Sequence, residues 1–386
     1  MSKKPLTTAG QWSRASDDIS NSPVMETDDM PPDIDSLLKI ACDRDASDLH
    51  LTTDEPPILR CNGRIEPLTD AGDLSEDDVR QMFITLTDKK RLEHLMETKE
   101  YDGSMATPEG QRVRINAYLQ KDRLALALRI LPSEFFDLYE LGLPEIVCER
   151  IVRMHQGLVL VTGATGSGKT TTLASLLNEI NRTRSLHIHT IEEPIEYVHT
   201  SRQSFVTQRA IGEDTQDFPE ASRRALRQDP DVVLIGEMRD TDTMSTALTL
   251  AETGHLTLAT LHTSTAMQTI SRIISAFPAA RQVQIRVQLA STLAFVICQK
   301  LIPNADGQGR SLAAEILAGN SAVRAMIREK KTHQLKMTMQ TNYEIGMRTM
   351  NQSLVALVNE GRISRSTALN YSDDEEGLED LLDNSS

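Results

Sequence analysis

Apolar and polar positions follow two rhythms along this chain, and the change between them divides it. In "DIDSLLKIACDRDASDLHL", Leu37, Leu38, Ile40 and Ala41 recur at helical spacing, after which "DLHLTT" alternates as a strand does. "PPILRCNGRIEPL" predicts two strands turned at Asn62-Gly63. Helices are predicted over 76–86 and 88–97, followed by alternating strands in "RVRINAYLQ" and "LALALRIL". These elements predict a small α+β domain over 34–132. "PSEFFDLYELGLPEIV" reads as a linker, 133–146, running into a short helix. From Gly157 the strands become continuous apolar runs, "LVLVTG", "LHIHTI", "VVLIG", "LTLATLH" and "LAAEIL", separated by helical segments. That pattern predicts an α/β domain over 147–371, a parallel sheet covered by helices, with a helical part from 321. Residues 1–33, rich in Ser, Thr, Asp and Pro, read as a mobile arm, and 372–386 as a disordered acidic tail.

Composition narrows the class. With 386 residues, 39% apolar and 4% aromatic, the chain has material for two cores. No apolar run reaches the ~18–20 residues that span a bilayer, and "MSKKPLTTAG" lacks the apolar core of a secretory signal. Cys42, Cys61, Cys148 and Cys298 are scattered without a CxxC pair, which suits reduced thiols in a cytoplasmic protein. The net charge is −15; the last fifteen residues hold seven acids and no base, which leaves −8 for the rest. A nucleic-acid motor needs a basic track to neutralise phosphates, so this balance argues against one.

The strongest chemical signal is "GATGSGKTT", which fits G-x-x-x-x-G-K-[ST] and follows the apolar run "GLVLV" directly. Gly163, Ala164, Thr165, Gly166, Ser167, Gly168, Lys169, Thr170 and Thr171 would form a loop whose amides wrap phosphate oxygens. Lys169 would reach the β- and γ-phosphates, Thr170 would offer its hydroxyl to Mg²⁺, and the following helix adds its positive end.

Phosphate-cleaving enzymes usually end a neighbouring strand in a metal-organising aspartate. In "DPDVVLIGEMRD" that place holds Gly236, followed by Glu237. Ligands meet the C-terminal edge of a parallel sheet, where "EEPIEY" also puts Glu192, Glu193 and Glu196. Hydrolysis needs one carboxylate to orient water and another to hold Mg²⁺ or its waters; one of Glu192, Glu193 and Glu196 from the first strand with Glu237 from the second offers both, and Gly236 leaves room for a hydrated metal. His255 and His262 bracket one strand and lie roughly 23 Å apart at the strand rise, so only His262 reaches the nucleotide edge. Arg112, Arg114 and Arg129 of the first domain are expected to supply cations to a nucleotide, that of a neighbouring subunit.

The ordered set "GATGSGKTT", "TIEEPIEYVH", "ALRQDPDVVLIGEMRD", "AETGHL" and "TLHTS", with "ASDLHL", "PPILRCNGRI", "RVRINAY" and "LALRILP" before it, resembles the type IV pilus retraction (twitching-motility) ATPases of the secretion-ATPase superfamily. The resemblance covers roughly residues 35–371. It implies a RecA-like P-loop core joined to a PAS-like amino-terminal domain, working with ATP and Mg²⁺. It also implies a homohexameric ring, pure or mixed with a paralogue, at the cytoplasmic face of the inner membrane. The ring would act on a membrane platform protein, without nucleic acid. By motif, Glu196 takes the catalytic-glutamate position and Glu237 the Walker B position. "NSAVRAMIREKKTHQL" resembles the retraction signature in Arg324, Ile327, Arg328 and Glu329, and departs from it at Val323, Ala325 and Met326. Glu193 stands where the family usually has aspartate. An assembly or secretion motor typically adds a four-cysteine insertion and another amino-terminal domain; a non-motor subunit of a mixed ring is the other alternative.

Overall fold

The computed structural model describes residues 33–61, 63–107, 110–131 and 134–384. The first 32 residues of the expected arm, Asn62 of the expected hairpin turn, and the boundary residues Pro132 and Ser133 lie outside the described residues.

The first domain runs α1 (Ile34–Asp43), β1 (Ala46–Thr52), β2 (Ile58–Cys61), β3 (Arg64–Pro67), α2 (Glu76–Leu86), α3 (Lys89–Thr98), β4 (Glu100–Ala106), β5 (Arg112–Gln120) and β6 (Arg123–Ile130). The Asp33 carboxylate accepts the Ser36 amide at 2.9 Å and starts α1. Ser75 and Asp78 form a reciprocal capping box that starts α2. The six strands make an antiparallel sheet in the order β3-β2-β1-β6-β5-β4. Alternation sends Val113, Ile115 and Ala117 of β5 into a core with Leu37, Phe83 and Leu128. Arg112 and Arg114 therefore fall on the opposite face, and register sets Arg114 beside Arg129 and Arg129 beside Asp48.

The second domain runs α4 (Glu145–Arg153), β7 (Gly157–Thr162), α5 (Lys169–Thr183), β8 (His187–Glu192), β9 (Phe205–Ala210), α6 (Phe218–Ala225), β10 (Val232–Ile235), α7 (Thr241–Glu252), β11 (Leu256–Leu261), α8 (Ala266–Ala276), α9 (Ala279–Thr292), β12 (Leu293–Pro303) and β13 (Arg310–Ala318). It closes with α10 (Ser321–Arg328), α11 (Leu335–Thr341), α12 (Met350–Asn359), α13 (Arg365–Tyr371) and α14 (Glu375–Asp383). Seven strands lie in the order β13-β12-β7-β11-β10-β8-β9. Every residue of β7, β10 and β11 is buried, which is why these strands read as unbroken apolar runs. One expected parallel strand is antiparallel: "LAAEIL" belongs to β13, which pairs antiparallel with β12. The connection from Pro303 to Arg310 is too short for a parallel crossover, so a hairpin is the only solution.

The expectation of a disordered tail is overturned. Residues Glu375–Asp383 are helical, with Asp374 accepting the Gly377 amide at the start. Leu378 and Leu382, one turn apart, are buried with Leu354 and Leu357 of α12. Lys336 meets Asp374 at 2.6 Å, Lys300 meets Asp373 at 3.0 Å and Arg365 meets Asp383 at 2.8 Å. Such exposed pairs contribute little each, so the two leucines carry the docking. Counting charge hid them. Among the described residues no helix is long and apolar enough to cross a membrane.

A docked tail makes Leu378→Ala costly: about 2 kcal/mol or more is expected for a fully buried leucine, seen as a lowered melting midpoint of the carboxy-terminal part. An unchanged melt would mean that α14 does not pack.

Candidate active site

The phosphate-binding loop is shaped by what its glycines must avoid. Gly163 leaves β7 with φ +142°, and a Cβ there would meet the Gln299 carbonyl at 2.5 Å and Ser167 Oγ at 2.6 Å. Gly168 caps α5 in the left-handed region, so the helix begins at Lys169 with its first amides free to face the loop. The Lys169 ammonium donates to the carbonyls of Gly163 at 3.0 Å and Ala164 at 2.9 Å. Burial lowers its pKa, and the charges of Glu237 and Glu196 pull it back upward. Gln299 of β12 donates to Thr172 at 2.7 Å, tying the first turn of α5 to the sheet. The loop opens on a cavity of about 600 Å³, in the size range of a nucleotide site.

Parallel pairing of β8 with β10 brings the acidic segments together. Ile191 lies beside Ile235, and the Gly236 amide donates to the Ile191 carbonyl at 2.8 Å. A Cβ on Gly236 would stand 3.1 Å from that carbonyl and 3.3 Å from Glu192 Cα. A side chain at 236 would press tightly on β8. Gly236 also lines the cavity. Beyond it, Glu237 is gripped on both oxygens, by Arg239 at 2.9 Å and by His262 Nε2 at 3.2 Å. Burial pushes the Glu237 carboxyl up, but bonds and charges from Arg239 and His262 outweigh it and hold the group below the usual carboxylate range. Arg239 also reaches Glu193 at 3.3 Å and so bridges the two acidic segments.

Glu192 and Glu196 differ sharply in setting. Glu192 is buried; it accepts from Thr190 Oγ1 at 2.6 Å and Gln208 Nε2 at 3.1 Å. Burial drives its pKa up to about 7, with the nearby Glu196 charge adding to the rise. Glu196 is half-buried and lines the cavity with Lys169, Thr170, Glu237 and His262. Tyr197 next to it lies 3.3 Å from Thr171 Oγ1, connecting this turn to the loop helix.

The expected arginines part company. Arg114 and Arg129 line the cavity of their own chain, alongside Arg239 and Arg310. Arg112 does not line it; its guanidinium donates to Ser104 Oγ and to the Ile195 carbonyl. His255 sits at the other end of β11, with Nδ1 near the Leu250 carbonyl at 3.0 Å, where it serves the end of α7. Glu192 stands in a visible acidic motif, but its burial comes from β9, which carries no motif. Arg310 opens β13 and had no signal at all.

Residues 110–364 match the family model described as "Type II/IV secretion system protein". The chain belongs to that family. Within it, the chain is 42% identical to the type IV pilus retraction ATPase PilT of Pseudomonas aeruginosa, over 87% of this chain and 97% of that protein. It is 37% identical to the type IV pilus ATPase PilU of the same organism, over 88% and 89%. A crystal structure of the pilus retraction motor PilT with bound ADP superposes with a TM-score of 0.85 at 44% identity, covering 90% of this chain and 99% of that one. This secretion-family chain is thus a close relative of the twitching-motility ATPases. Its core is the RecA-like P-loop fold with an added α+β domain.

The raised Glu192 carboxyl has a consequence for stability. The folded state binds that proton more tightly than the unfolded chain, whose group titrates near 4.5. The stabilisation is complete below that pH and is lost as pH rises through about 7. Between pH 4.5 and 8 the native protein should therefore lose roughly 2–3 kcal/mol relative to Glu192→Gln. Paired unfolding curves at the two pH values check this, and parallel behaviour of the two proteins would refute it.

Proposed function

We propose that this chain is the ATP-hydrolysing subunit of a six-membered ring that powers type IV pilus retraction. The observation that carries the reading is the convergence of Lys169, Glu196, Glu237 and His262 on one nucleotide-sized cavity, in a chain that matches a retraction motor over nearly its whole length. Loop amides, Lys169 and the start of α5 cradle the β- and γ-phosphates. Thr170 and Glu237 offer hard oxygen donors at the edge of the cavity, and these fit Mg²⁺, which when bound with ATP neutralises charge on the terminal phosphates. With each Glu237 oxygen already bonded to Arg239 or His262, Glu237 would reach the metal through its waters, and Glu196 is the carboxylate left to orient the attacking water and accept its proton. Arg114 and Arg129 stabilise charge building on the γ-phosphoryl group.

The amino-terminal domain, an antiparallel sheet with helices on one face, supports the PAS-like reading. Motion of this domain against the core would drive pilin removal at a platform protein on the cytoplasmic face of the inner membrane. A second reading, an accessory subunit of a mixed ring, draws on the similarity to PilU and on Glu193 in place of the family's aspartate.

Steady-state ATP turnover tests the enzyme: Lys169→Ala and Glu196→Ala should each lower the rate by at least ~100-fold, and turnover equal to unsubstituted protein would refute the assignment. Light scattering of the purified protein should report six copies. Deletion in the source cell should leave pili present and surface movement lost; cells bare of pili would point instead to an assembly motor.

A further inference from the structure

Arg112 is a cation that the cavity does not use. It opens β5 in the first domain, and its Nη2 donates to Ser104 Oγ at 2.6 Å and to the carbonyl of Ile195 at 3.2 Å. Ile195 is the residue immediately before Glu196. Ser104 in turn takes part in a second contact between the domains, its amide donating to Glu213 Oε1 at 3.2 Å. The guanidinium bond is charge-assisted and stronger than one between neutral groups.

The other side of the same turn is fixed by the core. The Glu192 carboxyl accepts from Thr190 and Gln208. Gln208 donates to the Tyr197 carbonyl at 2.9 Å and accepts the His199 amide at 2.7 Å. The turn carrying Glu196 is thereby held from within by β8 and β9, and from outside by one arginine of the other domain.

We propose that Arg112 is a positioning residue that makes the orientation of Glu196 depend on where the amino-terminal domain sits. With the domain docked, the Ile195 carbonyl is held and Glu196 faces the cavity. When the domain moves off, that carbonyl loses its donor and the turn loosens. Hydrolysis then follows domain closure within one chain. This rests on the reading of Glu196 as the water-orienting group.

Two measurements on the full chain test it. Hydrogen exchange without nucleotide should show amides in 196–199 exchanging roughly tenfold faster in Arg112→Ala, as expected for loss of one strong tether. Arg112→Lys should give a smaller rise, and α5 should be unaffected in both. ATP turnover should show kcat lowered at least ~10-fold with KM within ~2-fold, because the residue touches no phosphate; Arg114→Ala and Arg129→Ala should lower kcat as well but leave exchange in 196–199 unchanged. If Arg112→Ala does not fold, Arg112→Met, which keeps most of the aliphatic stem and removes the donors, replaces it. Unchanged exchange, faster exchange without loss of kcat, or a raised KM with kcat kept would each overturn the proposal. Absence of turnover in the unsubstituted protein would sink the hydrolytic reading alone, and the exchange comparison still decides whether Arg112 holds the turn.

Discussion

Everything at the nucleotide edge depends on the grip of Arg239 and His262 on Glu237, at 2.9 and 3.2 Å. A parallel sheet delivers its strand ends to one edge, and here β8 and β10 deliver Glu192, Glu193, Glu196 and Glu237 within a few residues of each other. Two like charges 4 Å apart repel by roughly 4 kcal/mol at the effective dielectric near a protein surface. The edge tolerates four acids because each is handled differently. Glu237 is paired and stays charged, Glu193 shares Arg239, and Glu192 is buried where the neutral form is favoured. Only Glu196 is left half-exposed beside the lysine of the loop. Separating the acids by environment gives them separate uses.

The same logic explains the arginines. Arg114 and Arg129 stand side by side on adjacent antiparallel strands, an arrangement that destabilises a sheet unless anions offset it. Asp48 meets Arg129 at 2.9 Å, and Asp102 approaches Arg114 at 3.9 Å. That compensation is uneven, since Arg114 has only the longer contact. A polyphosphate in the cavity both arginines line would complete it. The domains are held together in part by the Arg112 and Ser104 contacts to the core.

Much of this was legible in the residues themselves. The loop from Gly163 to Thr171, the acidic stretch after "LHIHTI" and the place of Glu237 after Ile235 all follow from apolar runs bounded by short motifs, because buried parallel strands leave that trace. What stayed hidden depends on contacts between distant segments. The burial of Glu192 comes from Gln208 on β9, whose residues alternate weakly and carry no motif. The tight fit at Gly236 is set by the Ile191 carbonyl and Glu192 Cα across the sheet. Arg112 and Arg114 share one strand face and one residue type, yet an 83-residue jump to Ile195 separates their roles. The tail was misjudged because its charge outweighed two leucines whose partners lie on α12.

The account's central claim is that acids from two strands take over from a missing aspartate, with Glu237 at the metal and Glu196 at the water. Mn²⁺ binding in the presence of a slowly hydrolysed ATP analogue, followed by electron paramagnetic resonance, addresses it directly. Glu237→Gln should weaken Mn²⁺ binding by at least ~10-fold while Glu196→Gln leaves it within ~2-fold. Equal Mn²⁺ affinity in the Glu237 variant and the unsubstituted protein would contradict the claim.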